Sequence, residues 1–461
     1  MTTYEDSIAG SGDARGQAPP PYRKAVLGAA IGNAVEWFDF ACYGFLATTL
    51  AQVFFPSQDD TTAVLNTFAV FAAAFFVRPL GGLFFGRLGD RVGRRRTLSS
   101  VILLMSAATC GIGVLPSHEQ AGMVATVLLV ALRLLQGFSA GGELGGGAAF
   151  LAEYAPAKRR GFLVSWVEFT TVIGFLLGSL VVLGLTVVAS EQQMVDWGWR
   201  IPFLIAAPLG IVGLFIRLRL EETPEFRSLA AEGKVARSPI REVLTQSRRS
   251  ILVATILSAL IHAGFYMLLV YLQTYATEEI GLSSGVASLS TTLSLLVGLI
   301  AIPFVGRLSD RVGRRPVMAV GAGALVTLTY PLFLLMNTGS ASLAIAGQAG
   351  LGLLFAIYLP VSVCVLTELF PTRTRYGGLS IAYNIAAALF GGTAPYLATW
   401  LISVTGDPLS PAWYMIGVSA MALVASLTTA ESARLPLSAL HPEPIGVLGG
   451  DRASETMGQR V

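Results

Sequence analysis

Residues Gly86–Arg95 read Gly-Arg-Leu-Gly-Asp-Arg-Val-Gly-Arg-Arg, and Gly306–Arg315 read Gly-Arg-Leu-Ser-Asp-Arg-Val-Gly-Arg-Arg, 220 residues later. Nine of the ten positions are identical, and each copy sits between two long apolar segments. A looser pair follows each copy. Glu153-Tyr-Ala-Pro-Ala-Lys-Arg-Arg160 answers Glu368-Leu-Phe-Pro-Thr-Arg-Thr-Arg375. Two matched pairs in one order mean one ancestral unit used twice. In a membrane protein such a repeat gives two similar halves that enclose something between them.

The membrane reading follows from composition. Of 461 residues, 54% are hydrophobic and 13% charged, with a mean hydropathy of +0.66. Soluble domains carry roughly 25% charged residues. Charge-free runs such as 97–117, 280–306 and 316–367 are long enough to cross a bilayer, which takes about 20 apolar residues. Backbone in lipid must satisfy its own hydrogen bonds, so these runs are helices. The pattern predicts an all-α membrane protein of twelve spans, at 25–51, 62–86, 97–116, 121–152, 161–189, 200–219, 250–277, 285–307, 317–337, 341–367, 376–404 and 410–430. They fall into two pseudo-symmetric six-helix bundles, 25–219 and 250–430. A polar linker, 220–249, joins them, and polar tails cover 1–24 and 431–461. Gly137-x-x-x-Gly141 and Gly174-x-x-x-Gly178 suit close helix–helix approach.

Charge placement sets the expected orientation. All but Arg78, Arg133 and Arg200 of the 31 Lys and Arg residues fall in the tails, the linker or the loops on one side. The loops on the other side carry Asp59, Asp60, Glu119, Glu191, Asp196, Glu278, Glu279 and Asp407. Basic loops stay in the cytoplasm. Both termini are therefore expected there, in a multi-pass protein of a bacterial-type plasma membrane. No cleavable signal peptide is visible, and Met1–Pro21 reads as a disordered tail. Basic runs flanked by spans are topological anchors and do not point to nucleic acid. Cys42, Cys110 and Cys364 all lie inside spans, without ligand spacing or a disulfide framework. No metal cluster, cofactor motif or nucleophile–base set appears, so an enzyme is not expected. No obligatory protein partner is indicated either. No phosphate-binding Walker pattern is present, which leaves an ion gradient or the solute's own gradient as the driving force.

Six plus six spans with Gly-x-Leu-x-Asp-Arg-x-Gly-Arg-Arg at 2–3 and 8–9 resemble the major facilitator superfamily. The first half is similar to its metabolite:proton symporter family. The residues that carry this are Gly32-Asn-Ala-Val-Glu-Trp-Phe-Asp-Phe-Ala-Cys-Tyr-Gly44, Arg78-Pro-Leu-Gly-Gly82, Gln136-Gly-Phe-Ser-Ala-Gly-Gly-Glu143 and Trp197-Gly-Trp-Arg-Ile-Pro-Phe203. Glu221-Glu-Thr-Pro-Glu-Phe226, Tyr266-Met-Leu-Leu269 and Phe370-Pro-Thr-Arg373 resemble bacterial proline/glycine-betaine symporters most. The resemblance implies proton-coupled uptake of a small zwitterionic compatible solute by alternating access. The alternative on the same fold is symport of a small organic acid of the 2-oxoglutarate, citrate or shikimate type. Some osmosensing members end in a coiled coil. Here the stretch after Glu431 contains Pro436, Pro442 and Pro444 and shows no sustained heptads.

Three sets of residues could carry the work. Asp90, Arg91 and Arg94 in one motif and Asp310, Arg311 and Arg314 in the other are the gating candidates. A carboxylate there can accept from a helix N-terminus of the opposite half, or pair with an Arg of its own motif. Ionisable residues inside spans are costly and default to function. Arg133 and Arg78 are candidates for a substrate carboxylate. Asp39, Glu36 and Glu143 are candidates for proton carriage, and Glu168 is a further intramembrane acid. Glu36 and Asp39 share one helix face. His262 is the one histidine within a span, and imidazole titrates near neutral pH. Trp37, Tyr43 and Tyr266 are the aromatics favoured to hold an ammonium group by cation–π attraction. Each of these has a purely structural alternative, as an anchor, a fixed ion pair or a packing residue.

Overall fold

The computed structural model describes residues 33–34, 37–56, 59–92, 94–141, 146–218, 247–371 and 375–440, and among them there is helix and no strand. Nine of the described helices are long and apolar enough to cross a membrane, and the bent pair Glu191–Gly198 and Arg200–Val212 makes a tenth. Span 3, Arg94–Gly113, has the shorter apolar stretch Ser99–Gly113. Span 1 is helical over most of 37–54, with a turn at Leu46. The twelve expected spans are therefore all helical where they are described.

The repeated motifs are not loops. Span 2 runs Asp60–Val92 and span 8 runs Ser284–Val312, so most of each motif lies in the last turns of a helix. In the second copy Gly313 turns the chain at φ 120°, a conformation that suits glycine, and span 9 starts at once at Arg314. At the other end of span 2, the Asp59 carboxylate accepts from the Thr62 hydroxyl at 2.5 Å and the Thr62 N–H at 3.0 Å. These bonds, the hydroxyl's first, hold that carboxyl below the usual carboxylate range.

Small residues set the helix spacing. Gly137 and Gly141 of span 4 lie against the carbonyls of Ala74 and Arg78 in span 2. Gly174 and Gly178 of span 5 lie against Ala34, Trp37 and Ala41 of span 1. Both glycine pairs thus act as contact seams, where a side chain would wedge the helices apart. The halves meet mainly along spans 5 and 8 on one side and spans 2 and 11 on the other. Span 7, Arg248–Glu278, has a π-helical stretch at Phe265–Tyr271, and span 11 has one at Ala387–Gly391. Gly391 packs on Tyr266 and His262, so the two widened turns face each other.

Candidate functional site: a charged centre and a latch at the basic face

The centre is built from span 1 outward. Asp39 is fully buried, and its Oδ2 accepts from the Thr109 hydroxyl of span 3 at 3.0 Å. Thr109 accepts in turn from the Gln136 amide of span 4 at 2.5 Å. The carbonyl end of Gln136 accepts from Arg133 Nη1 at 2.9 Å. An acid and a guanidinium are thus joined through two neutral side chains, and no direct ion pair is needed between them. Asp39 Oδ1 and Arg133 Nε and Nη2 are buried without a hydrogen-bond partner among the described residues. A buried charge left partly unsatisfied is costly. Such groups are candidates to receive a ligand or a proton.

Aromatic rings surround both arginines. The Arg133 guanidinium lies 4.1 Å from the Tyr43 ring centroid, 5.1 Å from Phe71 and 5.5 Å from Phe40. Arg78 lies 5.1 Å from Phe40, 5.2 Å from Phe75 and 5.9 Å from Trp37. Tyr43 donates its hydroxyl to the Thr67 carbonyl at 3.0 Å, which fixes that ring. Trp37, Phe175 and Phe265 form a stack, with Trp37 and Phe265 centroids 5.9 Å apart at 14°. Tyr266 meets Phe75 edge-on at 5.0 Å and Phe71 at 5.4 Å. All three expected aromatics are therefore central. In this state the Arg133 guanidinium covers the Tyr43 ring, while Trp37 is stacked on Phe175 and Phe265 with Arg78 at 5.9 Å.

His262 sits with Nδ1 2.8 Å from the Ser258 carbonyl and its ring 4.2 Å from that of Tyr383. The carbonyl can only accept, so Nδ1 carries the proton. Glu36 and Glu143 lie outside the described residues, as do the side chains of Asp90, Arg91 and Arg94.

The second site is the face that carries the repeated motifs. Asp310 of span 8 accepts from the Gly161 N–H at 2.8 Å and the Phe162 N–H at 2.9 Å, the first turn of span 5 in the other half. Its Oδ1 also accepts from Arg314 Nη1 at 2.9 Å. Both contacts expected of this carboxylate are present, and a helix N-terminus favours them. Arg160 pairs with Glu368 at 2.7 Å, and Arg375 pairs with Glu153 at 2.6 Å. Arg314 Nη2 lies 3.6 Å from the same Glu368. The residues after span 12 close the arrangement. Glu431 accepts from the Arg314 and Arg315 N–H groups, Ser432 donates to Glu368, and Arg434 donates to the Asp310 and Arg311 carbonyls. Arg311 itself is exposed, and it contributes that carbonyl.

Sequence reading did not give Thr109, Gln136, Glu153, Arg160, Glu368, Arg375 or Glu431 a role. The signal for four of them was present in the second repeated octapeptide, which begins and ends on these charges. At the opposite, acidic face a cleft of about 400 Å³ separates the halves, lined by Gln52, Glu191, Gln192, Gln273, Thr277 and Glu278 among others. Gln273 Nε2 bridges its floor to the Phe45 carbonyl at 2.9 Å.

Two repeats closed at one face, split at the other, with charges kept at their shared interface, define a membrane solute transporter. A family model described as sugar (and other) transporter matches residues 25–243, and one described as major facilitator superfamily matches 254–443. The proline/betaine transporter of Escherichia coli K12 is 39% identical over 433 residues, covering 91% of this chain and 86% of that protein. The glycine betaine/proline/ectoine/pipecolic acid transporter OusA of Dickeya dadantii is 39% identical over 430 residues, covering 91% and 85%. Among solved structures, the proton:xylose symporter XylE bound to 6-bromo-6-deoxy-D-glucose aligns at TM-score 0.73 over 91% of this chain and 98% of that one. At 20% identity it shows the shared fold. The chain belongs to the major facilitator superfamily and, within it, to the bacterial proline/betaine transporter family. It is a multi-pass membrane transporter and not an enzyme.

Proposed function

We propose that the chain takes up a small zwitterionic compatible solute of the proline/glycine-betaine type together with a proton, by alternating access. The observation that carries this is the Asp39–Thr109–Gln136–Arg133 chain inside an aromatic-lined centre. Arg133, with two unpaired N–H positions, offers a fork for a carboxylate. Displacing the Arg133 guanidinium from Tyr43 would free a ring face for an ammonium. Asp39, coupled to Arg133 through neutral groups, is the favoured proton carrier, because movement of Arg133 onto a substrate changes the field at the acid. The basic face is cytoplasmic on this reading, as are both termini, and the membrane is the bacterial inner membrane. The two halves are 25–219 and 250–430, rocking about the centre.

A second reading is symport of a small organic acid. Two buried arginines favour it, and the aromatic rings around both weigh against it. Uptake into proteoliposomes with an imposed pH gradient tests both, using labelled proline, glycine betaine, 2-oxoglutarate and shikimate. Accumulation of proline or betaine that disappears when the gradient is collapsed is expected. Accumulation of the acids alone would transfer the function to the second reading. Gradient-independent uptake would remove the proton.

A further inference from the structure

Glu168 stands apart from both sites. It lies in span 5, is 3% exposed, and its Oε2 is buried with no hydrogen-bond partner among the described residues. Its surroundings follow from helix register. Spans 5 and 8 run antiparallel. Gly161 donates to Asp310, Ser165 packs on Gly306, and Ser179 bonds Thr292 at 2.5 Å. Each step along span 5 is one step back along span 8, which sets Glu168 level with Pro303. Proline has no N–H to offer, and the neighbouring helical N–H groups are used within span 8. Glu168 therefore points at the seam between the halves, about two turns from the Asp310 latch and about two turns from Phe175 in the aromatic stack.

Among the described residues, the buried charged groups near the basic face are already engaged with one another. They are Asp310 and Arg314 from spans 8 and 9, Glu368 from span 10, which also accepts from Cys364, and Arg160 on its own helix. Glu153 pairs with Arg375, and Asp39 of span 1 bonds Thr109. None of them donates to Glu168 Oε2.

We propose that Glu168 is a proton-binding site that governs closure of the basic face. Burying an ionised carboxylate oxygen at the seam without a donor is expensive. Closing the halves over Glu168 therefore requires the neutral acid. Opening the basic face admits water, the O–H bond breaks, the proton leaves to that water, and the carboxylate holds the seam open. The same carboxyl must regain a proton from the same side before reclosure. It thus sets the pH dependence of the return step and adds nothing to the number of protons carried per solute.

The test needs neither solute nor gradient, so its outcome is independent of proton-coupled uptake. Spin labels at the exposed Lys158 and Arg307, one in each half, report the opening of the basic face in nanodiscs. Cys42, Cys110 and Cys364 are replaced by alanine beforehand. The closed-to-open ratio of the otherwise native protein is expected to fall up to about tenfold per pH unit above the titration point, as for one proton. E168Q should remain closed and flat with pH, and E168D should keep the slope. E168L, also unable to ionise, takes the place of E168Q if that variant fails to insert. A flat native profile, or an unchanged slope in E168Q or E168L, overturns the proposal.

Discussion

Arg160 of the first half holds Glu368 of the second at 2.7 Å, and Arg375 of the second half holds Glu153 of the first at 2.6 Å. The four residues are the ends of the two matched octapeptides. Each copy keeps its Glu and its Arg, and each Glu is paired by the Arg of the other copy. A repeat that gives one acid and one base to each half generates two reciprocal bridges across the seam. Every bridge must break for the basic face to open.

Removing one partner of the Arg160–Glu368 pair should therefore open that face. Breaking a buried ion pair costs about 3–5 kcal/mol where it leaves a charge unpaired. Glu368→Gln is expected to raise maleimide labelling of Cys364, which is fully buried one turn away, by at least about tenfold. The double change Arg160→Glu with Glu368→Arg should restore part of the protection. Equal labelling of native protein and Glu368→Gln would show that the pair does not close the face.

Asp310 holds two N–H groups of the opposite half and a guanidinium of its own. Asp310→Ala should insert normally and lose most net uptake, with the labelling of Cys364 raised as above. Asp90 occupies the same place in the first motif, so Asp90→Ala should shift the conformational balance in the same direction. Unchanged transport kinetics in both variants would reduce the motifs to topological anchors.

The central chain predicts a split between two activities. Asp39→Asn removes the ionisable group and leaves the Thr109 contact possible. Exchange of labelled for unlabelled solute should persist, while accumulation against a gradient is lost. Arg133→Lys keeps the charge and loses the Nη1 bond to Gln136, the unpaired Nε–Nη2 fork and the broad contact with Tyr43. A rise in KM of about tenfold, worth about 1.4 kcal/mol, is the expected result in uptake assays. Asp39→Asn protein that still concentrates solute would free Asp39 from coupling.

Gly161 and Gly306 mark the closest approach of spans 5 and 8. A methyl group on Gly306 would meet Ser165, and one on Gly161 would meet Arg314 and Ser309. Overpacking of this kind costs about 1–3 kcal/mol. Gly306→Val should lower the melting temperature in detergent and favour the state in which the basic face is apart. A melting curve that overlays the native one would contradict the close contact.

Glu431 caps the start of span 9 with two N–H bonds. Loss of such a cap costs about 0.5–2 kcal/mol. Glu431→Ala should raise Cys364 labelling by less than Glu368→Gln does. An effect as large as that of Glu368→Gln would mean that the cap and the ion pair act as one unit.

Much of this was legible in the amino-acid order. Hydropathy gave the helices, because apolar length is the only thing a span requires. The repeated motif gave the two halves and the Asp310 contacts, since an acid and arginines repeated at one spacing in both halves have few structural uses. Partner choice was harder. Arg160–Glu368 lies 208 residues apart, and only the fold says that each octapeptide answers the other and not itself. Thr109 and Gln136 were invisible for a different reason. Neutral polar residues are common in spans, and their place between Asp39 and Arg133 depends on three helices meeting. The second motif forms no separate loop, because the helices run up to Gly313 from both sides and that one glycine makes the turn.

Reciprocal pairing has an evolutionary consequence. A hybrid that joins the front of this chain to the back of a distant cousin inherits one member of each bridge from either parent. It will shut properly only where both parents kept the same polarity at 153, 160, 368 and 375. Drift at any of these positions in one lineage must be answered on the far side of the seam, so the two duplicated units cannot diverge freely even though they were once a single gene segment.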